Sequence, residues 1–161
     1  MECKDDQLCY GLKAGIHSTI HGVQYIWDEN LSTENWGILL VDANNAFNEI
    51  NQVGMLWTVR NLWPSGARFF FNVYCHWSSF FSRNRNGPAS FLHSMEGMTQ
   101  GDPLDMVILS IDILPLIINL KSEFPEVTQP WYADDAGALG TFARVESYFI
   151  LLKVHGMGRG C

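Results

Sequence analysis

Two carboxylates stand side by side at Asp134 and Asp135, directly after the aromatic and apolar run 131–133. Adjacent like charges at the expected end of a strand are costly unless a cation neutralises them. Consecutive side chains of a strand point to opposite faces, so only one of these two acids can face a given ion. We therefore expect a further carboxylate to come from a different segment of the chain.

Asp42 is the best candidate for that further carboxylate. It closes the apolar segment 36–41, whose uninterrupted hydrophobicity is typical of a buried strand. Two strands that each end in aspartate predict a site for two divalent metal ions. An Asp-Asp pair considered alone is more often a solvated turn or a helix N-cap, so the interpretation depends on the neighbouring motifs.

Three short motifs occur in order along the chain. Phe47 follows Asp42 by five residues, residues 100–104 read Gln-Gly-Asp-Pro-Leu, and residues 132–135 read Tyr-Ala-Asp-Asp. Together they resemble the palm subdomain of reverse transcriptases, in particular those related to non-LTR retrotransposons and group II introns. The resemblance extends over residues 37–152. Each motif alone is short, but the three together in this order are specific.

The resemblance implies an α+β fold in which helices pack on one face of an antiparallel palm sheet, with fingers and thumb largely absent. It implies an RNA-directed DNA polymerase, in which a primer 3′-hydroxyl attacks the α-phosphate of a deoxynucleoside triphosphate (dNTP). Two Mg²⁺ ions, or Mn²⁺ in their place, would stabilise the attacking and leaving oxygens. The implied partners are an RNA template, a DNA primer, dNTP, and the fingers and thumb segments of a larger polyprotein.

The resemblance also assigns the acidic residues their roles. Asp42, Asp134 and Asp135 are the expected catalytic residues. Asp42 and Asp134 would bind both metal ions, with help from the main-chain carbonyl of Ala43. Asp135 would bind metal more weakly or position the primer end.

The same resemblance implies a nucleotide-binding surface next to the acids. Phe47 would lie under the sugar and exclude a 2′-hydroxyl. Gln100 and Gly101 would contact the incoming nucleotide and the template, glycine permitting a close backbone approach. The chain departs from the family at Asp105, where serine is common. This added carboxylate either repels the triphosphate or occupies the first turn of a helix, where the helix dipole favours it. Lys153 is a weak substitute for a lysine that the family places near the active site.

The charge of the chain is unevenly distributed. Its net charge of −7 is unusual for a protein that handles nucleic acid. Residues 50–95, however, contain no Asp or Glu and carry +4, which leaves −7 − 4 = −11 for the remainder. The four arginines of this stretch are our candidates for contacts with nucleic acid: Arg60, Arg68, Arg83 and Arg85. Ten aromatic residues are interleaved with them. A basic segment with such stacking groups could track a template or primer backbone, whereas the helical spacing of the rings indicates that most belong to the core.

The pattern predicts a single partial reverse transcriptase domain over residues 1–161, with an N-terminal helix and connector (1–35), a palm core (36–152) and a glycine-rich tail (153–161). Apolar periodicity predicts helices at 8–27, 46–62, 67–77 and 142–154, and another that begins at Pro103 and is kinked or shortened at Pro115. Strands are predicted at 36–41, 127–133 and 136–139, with a hairpin of 79–83 and 89–94 around a turn at 84–88.

Several other sites and locations are disfavoured. The acidic start, residues 1–6, is unlike a secretory signal, and polar residues interrupt the apolar region 106–120, so we expect an intracellular, soluble chain with no membrane partner. Four cysteines without paired spacing indicate free thiols. His17 and His21 lie four residues apart but have no third ligand, which indicates a polar helix face rather than a zinc site.

Two functions remain open at this point. The chain is either the catalytic palm of an RNA-directed DNA polymerase, active once fingers and thumb complete it, or a truncated or domesticated remnant that serves at most as an interaction module. In both cases we expect the isolated chain to be inactive or weakly active.

Overall fold

The computed structural model describes residues 14–83, 85, 87–94, 96–98 and 102–157. The helices and strands within these ranges are α1 (Gly15–Glu29), β1 (Trp36–Asp42), α2 (Ala46–Glu49), α3 (Gln52–Leu62), α4 (Pro64–Tyr74), β2 (Ser78–Arg83), β3 (Ala89–Ser94), α5 (Asp105–Glu123), β4 (Trp131–Tyr132), β5 (Asp135–Thr141) and α6 (Phe142–Met157).

The main sheet has three antiparallel strands in the order β1-β5-β4. Pairing of β1 with β5 runs from Trp36 opposite Thr141 to Asp42 opposite Asp135. The central strand β5 is buried at every position between its two end residues. α6 follows β5 without a loop and packs on both β5 and β1. The predicted strand at 36–41 and its return strand are therefore confirmed.

α5 and α6 cover one face of this sheet. Their side chains Ile117, Leu120 and Tyr148 are fully buried against Ala138 of β5. Burying one large aliphatic side chain contributes about 1.5–3 kcal/mol, so this layer supplies much of the stability of the sheet. The opposite face of β1 carries Leu40, which is 79% exposed. The expected α+β fold, with helices on one face of an antiparallel sheet, is confirmed.

A second apolar cluster lies where α3, α4 and the N-terminal half of α5 meet. Its centre consists of fully buried side chains, namely Met55, Val59, Phe70, Ile108 and Ile111. α5 thus contributes its first half to this cluster and its second half to the cluster under the sheet. A helix that is buried along its whole length needs apolar residues on nearly all sides, as its sequence shows.

The prediction that Pro115 shortens or kinks α5 is wrong as far as length is concerned. α5 is 19 residues long and continues through Pro115 to Glu123. Proline inside a helix costs about 3 kcal/mol because it removes one hydrogen bond and its ring clashes with the preceding turn. Burial of side chains on both sides of Pro115, in the two clusters, offsets that cost.

The single helix predicted at 46–62 is two helices, α2 and α3. The backbone is extended at Ile50 and Asn51, and the Asn51 side chain accepts a hydrogen bond from the Gly54 N–H at 2.9 Å. Asparagine in this position caps a new helix. Beyond the break, Met55 and Val59 of α3 are buried, while Val53 is 78% exposed.

The predicted strand 127–133 is mostly irregular. Regular pairing is limited to β4, with one isolated bridge between Thr128 and Leu139. Pro130 has no N–H to donate, but its carbonyl accepts a hydrogen bond from Gly137 at 2.8 Å. A Cβ atom on Gly137 would lie 2.9 Å from the Pro130 ring, so glycine is needed for this approach.

Other helix boundaries also differ from the predictions. α4 begins at Pro64, three residues before the predicted start, because proline is well suited to the first helical position. α6 continues to Met157, beyond the predicted end at residue 154 and into the predicted tail. α1 is described from residue 15 onward, and the earlier part of the helix predicted from residue 8 lies outside the described residues.

The hairpin is confirmed as a separate two-stranded sheet formed by β2 and β3. The prediction that most aromatic residues of 50–95 belong to the core is wrong. Phe70 and Tyr74 are buried and Trp63 is half-buried. The other seven are exposed, namely Trp57, Phe69, Phe71, Trp77, Phe80, Phe81 and Phe91. Within the described part of the chain, no helix or strand covers these seven rings.

Two minor predictions agree with the structure. His17 and His21 lie exposed on α1, and Cys75 is a half-buried free thiol. Cys3, Cys9 and Cys161 lie outside the described residues. Among the described helices, none has the length and apolar character needed to span a bilayer.

Candidate active site

Two of the three predicted catalytic acids face each other at one end of the main sheet. Asp42 is the last residue of β1, Asp135 is the first of β5, and the two are direct cross-strand partners. Side chains of such a pair leave the sheet on the same face, with Cβ atoms about 4.5–5.5 Å apart. The strand pairing therefore brings together carboxylates from segments that are 93 residues apart in sequence (135 − 42 = 93).

The turn between β4 and β5 adds the third acid. Tyr132 pairs with Asp135, which leaves Ala133 and Asp134 as a two-residue turn. Ala133 is buried and has a φ of 53°, a left-handed conformation that is unusual for alanine. The Asp134 carbonyl accepts a hydrogen bond from the Ala43 N–H at 3.3 Å. This bond ties the turn to the end of β1, so Asp134 lies next to the facing pair.

The carboxylates affect one another electrostatically. Slight desolvation by neighbouring atoms raises the pKa of the exposed Asp135 above its ordinary value, and the charges of Asp134 and Asp42 raise it further. Both neighbours therefore oppose ionisation of this group. A cation between the acids would reverse the effect. Asp42 and Asp135 are exposed, while Asp134 is half-buried, so ligands can reach all three.

The donor atoms suit a hard divalent cation. Mg²⁺ is commonly held by one or two carboxylates, with water and substrate phosphates completing its ligands. Within the described ranges, no group of three or more His, Cys, Asp or Glu side chains is close enough to hold a metal ion. The acids thus form an open arrangement that would need oxygen ligands from a substrate to complete a metal site.

Phe47 lies on α2, four residues beyond Ala43, and is half-buried against the α3/α4/α5 cluster. Its carbonyl accepts a hydrogen bond from the Met98 N–H at 2.7 Å. Gly97 N–H donates to the Ile50 carbonyl at 2.8 Å, and the Gln52 side chain donates to the Gly97 carbonyl at 2.9 Å. Three hydrogen bonds therefore fix the segment 96–98 against the chain that follows Asp42.

Gly97 is required at its position for two reasons. Its φ of 73° lies in the left-handed region, which favours glycine. A Cβ atom here would also collide with the backbone of Asn48, whose carbonyl oxygen would lie 2.4 Å away. The predicted nucleotide-contact residues Gln100 and Gly101 follow directly but lie outside the described residues.

Asp102 terminates the same loop and is held from two sides. One carboxylate oxygen accepts the Leu104 N–H at 2.8 Å, and the other accepts the Tyr74 hydroxyl at 3.1 Å. Burial, and then the Asp102 charge and hydrogen bond, raise the pKa of Tyr74 to about 12. Asp102 caps a turn, and α5 begins at Asp105, two residues after the start predicted at Pro103. Asp105 therefore occupies the first helical turn, where the dipole favours its charge.

The predicted arginines are all exposed but belong to different elements. Arg60 lies on α3, Arg68 on α4, Arg83 at the end of β2 and Arg85 in the hairpin turn. The strand pairing does not bring them to the three acids.

Tyr74 and Gly97 shape the loop but are not among the site residues predicted from the sequence. No sequence signal identifies Tyr74, since its partner Asp102 is 28 residues away. The sequence signal for Gly97 is a glycine five residues before Asp102.

Comparison with known proteins supports the fold. Neither a family model nor a curated protein sequence matches this chain. Among solved structures, the chain is similar to telomerase from Candida albicans in complex with a TWJ fragment of telomeric RNA, with a TM-score of 0.70 and 9% sequence identity. The match covers 94% of this chain and 29% of the telomerase chain. At this identity the similarity shows a shared fold alone, and the present chain spans less than a third of that protein.

Proposed function

We propose that this chain is the palm part of an RNA-directed DNA polymerase of a retroelement, which transfers a nucleotide from dNTP to a primer 3′-hydroxyl. The observation that carries this proposal is the pairing of Asp42 with Asp135, with Asp134 in the adjoining turn. The fold shared with telomerase, a polymerase related to reverse transcriptases, supports the same conclusion.

Two Mg²⁺ ions, or Mn²⁺, would be held by Asp42 and Asp134, with contributions from Asp135 and the Ala43 carbonyl. Bound there, they would lower the pKa of the primer hydroxyl and stabilise charge on the attacking and leaving oxygens. The new bond joins the primer oxygen to the α-phosphate, and the bond to pyrophosphate breaks. The role of the chain is to place the carboxylates before substrate arrives.

The residues near the acids would select and orient the nucleotide. Phe47, fixed through its carbonyl to Met98, would lie under the deoxyribose and exclude a 2′-hydroxyl. Gln100 and Gly101 would meet the incoming nucleotide from the loop that Gly97 and Asp102 anchor. RNA template, DNA primer, and fingers and thumb segments of a larger polyprotein are the partners that complete the enzyme.

Metal binding tests the proposal without requiring the missing segments. We expect Mn²⁺ titration of the isolated chain, followed by electron paramagnetic resonance, to show binding that Asp42→Asn weakens by roughly tenfold or more, because a direct ligand is lost. Asp28→Asn is the matched control, since it removes an exposed carboxylate on α1, far from the sheet end. Equal affinity of Asp42→Asn and the native chain would contradict the proposal.

Primer extension on a poly(rA) template separates a catalytic palm from a non-catalytic remnant. The isolated chain is expected to give no processive synthesis, and a chain completed by fingers and thumb is expected to give synthesis that Asp134→Ala abolishes. If the completed chain binds Mn²⁺ at the three acids but does not extend a primer, the remnant interpretation is correct.

A further inference from the structure

The β2–β3 hairpin has an aromatic face that the core does not use. Alternate residues of a strand lie on one face, and cross-strand partners share that face. The pairs Ser79/His93, Phe81/Phe91 and Arg83/Ala89 therefore lie on one side, which we call the aromatic face. The pairs Ser78/Ser94, Phe80/Leu92 and Ser82/Ser90 lie on the other side.

Rings line the aromatic face in a row. Phe81 and Phe91 are 60% and 69% exposed, and their ring centroids lie 5.4 Å apart at an interplanar angle of 65°. Trp77, just ahead of β2, lies 6.4 Å from the His93 ring and is 62% exposed. Same-face positions of a strand recur about every 6.8 Å, so Arg83 follows Phe81 on this face by one such step.

The rings of the aromatic face are not buried in the core, so packing of the core does not explain why they are aromatic. Every residue of β2 and β3 is exposed except Ser94, which is half-buried. The opposite face differs, because Phe80 lines a cavity of about 380 Å³ together with Tyr74 and Met98. The aromatic face leaves more ring area in water than the opposite face, where Phe80 is 46% exposed, and such area usually marks a binding surface.

The charge around the face identifies the class of ligand. Residues 50–95 contain no acid, whereas Arg83 closes the ring row and the exposed Arg85 follows it in the turn. The nearest following acid, Glu96, lies beyond the end of β3. Exposed rings with cationic neighbours suit a ligand that combines flat π-faces with a polyanionic backbone. A duplex hides its base faces in its own stack, so the ligand must be unpaired.

We infer that the aromatic face of the β2–β3 hairpin binds single-stranded nucleic acid, with bases stacked on Trp77, Phe81 and Phe91 and a phosphate on Arg83. The inference deepens the proposed function by giving its nucleic-acid partner a second surface. It uses no carboxylate of the candidate active site, so the two can fail separately.

The test is fluorescence anisotropy with a labelled single strand of about 10 nucleotides. We expect Phe81→Leu to weaken binding about tenfold, because it keeps an apolar side chain but removes the stacking ring. Arg83→Gln is expected to lower the slope of log affinity against log salt by about 0.7, the value for one phosphate contact to a single strand. Phe81→Leu should leave that slope unchanged.

Matched controls lie on the same chain. Phe80→Leu makes the identical change on the opposite face, and Arg144→Gln removes an exposed arginine of α6. Both are expected to bind like the native chain. Equal loss of binding with Phe80→Leu, no binding by the native chain, or equal affinity for a blunt duplex would each overturn the inference. Self-association that Phe81→Leu abolishes, without nucleic-acid binding, would identify a second copy of the chain as the ligand and would also overturn it.

The anisotropy measurements of strand binding are all made in EDTA, which removes metal from the acids. Asp42→Asn should then bind the single strand like the native chain. If strand binding persists while Mn²⁺ binding and primer extension fail, the proposed function is wrong and the aromatic face stands. If Mn²⁺ binds but strand binding is absent or does not depend on Phe81, the inference about the aromatic face is wrong and the proposed function stands.

Discussion

The main sheet and the hairpin are both antiparallel, but they are stabilised in different ways. The central strand β5 is buried at all its inner positions and carries small residues and one leucine between its terminal residues. β2 and β3 contain large rings, yet none of their residues is buried. In this molecule, apolar size along a strand therefore does not indicate the core. Small buried residues hold the acids in place, and the large exposed ones are available for a ligand.

Stability measurements on mid-strand residues test this contrast most strongly. Leu139 of β5 is 1% exposed, and we expect Leu139→Ala to lower the free energy of unfolding by about 2–5 kcal/mol through lost burial and a cavity. Phe81→Ala in β2 removes a larger side chain but should cost about 1 kcal/mol or less, the value of one exposed cross-strand pair. Urea denaturation measures both. Similar losses would mean that the hairpin contributes to the core.

The boundary between the two regions is tested at Tyr74, which lines the cavity under the hairpin and bonds to Asp102. We expect Tyr74→Phe to cost about 1 kcal/mol, the typical contribution of one hydrogen bond. The pKa of Tyr74 is raised to about 12 from 10.0, so its contribution is complete below pH 10.0 and is lost as the pH rises through about 12. Ultraviolet titration of Asp102→Asn should show this pKa lowered, while an unchanged pKa would exclude the interaction.

The smallest expected effect concerns the acids at the sheet end. Because the pKa of Asp135 is raised in the folded chain, its contribution to stability is complete below its ordinary value of 3.8 and is lost as the pH rises through the folded pKa. In EDTA, Asp42→Asn should lower the pKa of Asp135, because a neighbouring negative charge is removed. Carbon-13 NMR titration of the carboxyl group measures this change. A pKa that does not respond would place the two carboxylates too far apart to share a cation.

Much of the main sheet could be predicted from the sequence, because the segment 36–41 is apolar without interruption and ends in aspartate. The hairpin could be predicted from its turn residues 84–88. These signals are local. The approach of Asp42 to the acids at 134 and 135 was inferred from chemistry rather than from pattern, with Asp134 as its expected partner, whereas the strand pairing places Asp135 opposite Asp42.

The features that the sequence analysis missed depend on tertiary structure. Periodicity continued through Ile50, so the break that Asn51 caps was hidden within an apparently continuous helix. Proline usually shortens or kinks a helix, and the burial on both sides of Pro115 that offsets this effect is known only from the packing of α5. The exposed rings were assigned to the core because spacing alone does not show whether a second layer covers them.

The hydrogen bonds from Gly97 and Met98 to Ile50 and Phe47 have a mechanical consequence. They join the chain that follows Asp42 to residues 97 and 98, so the backbone at Phe47 and the backbone at Met98 are held at a fixed separation. A displacement of either segment would pull the other with it.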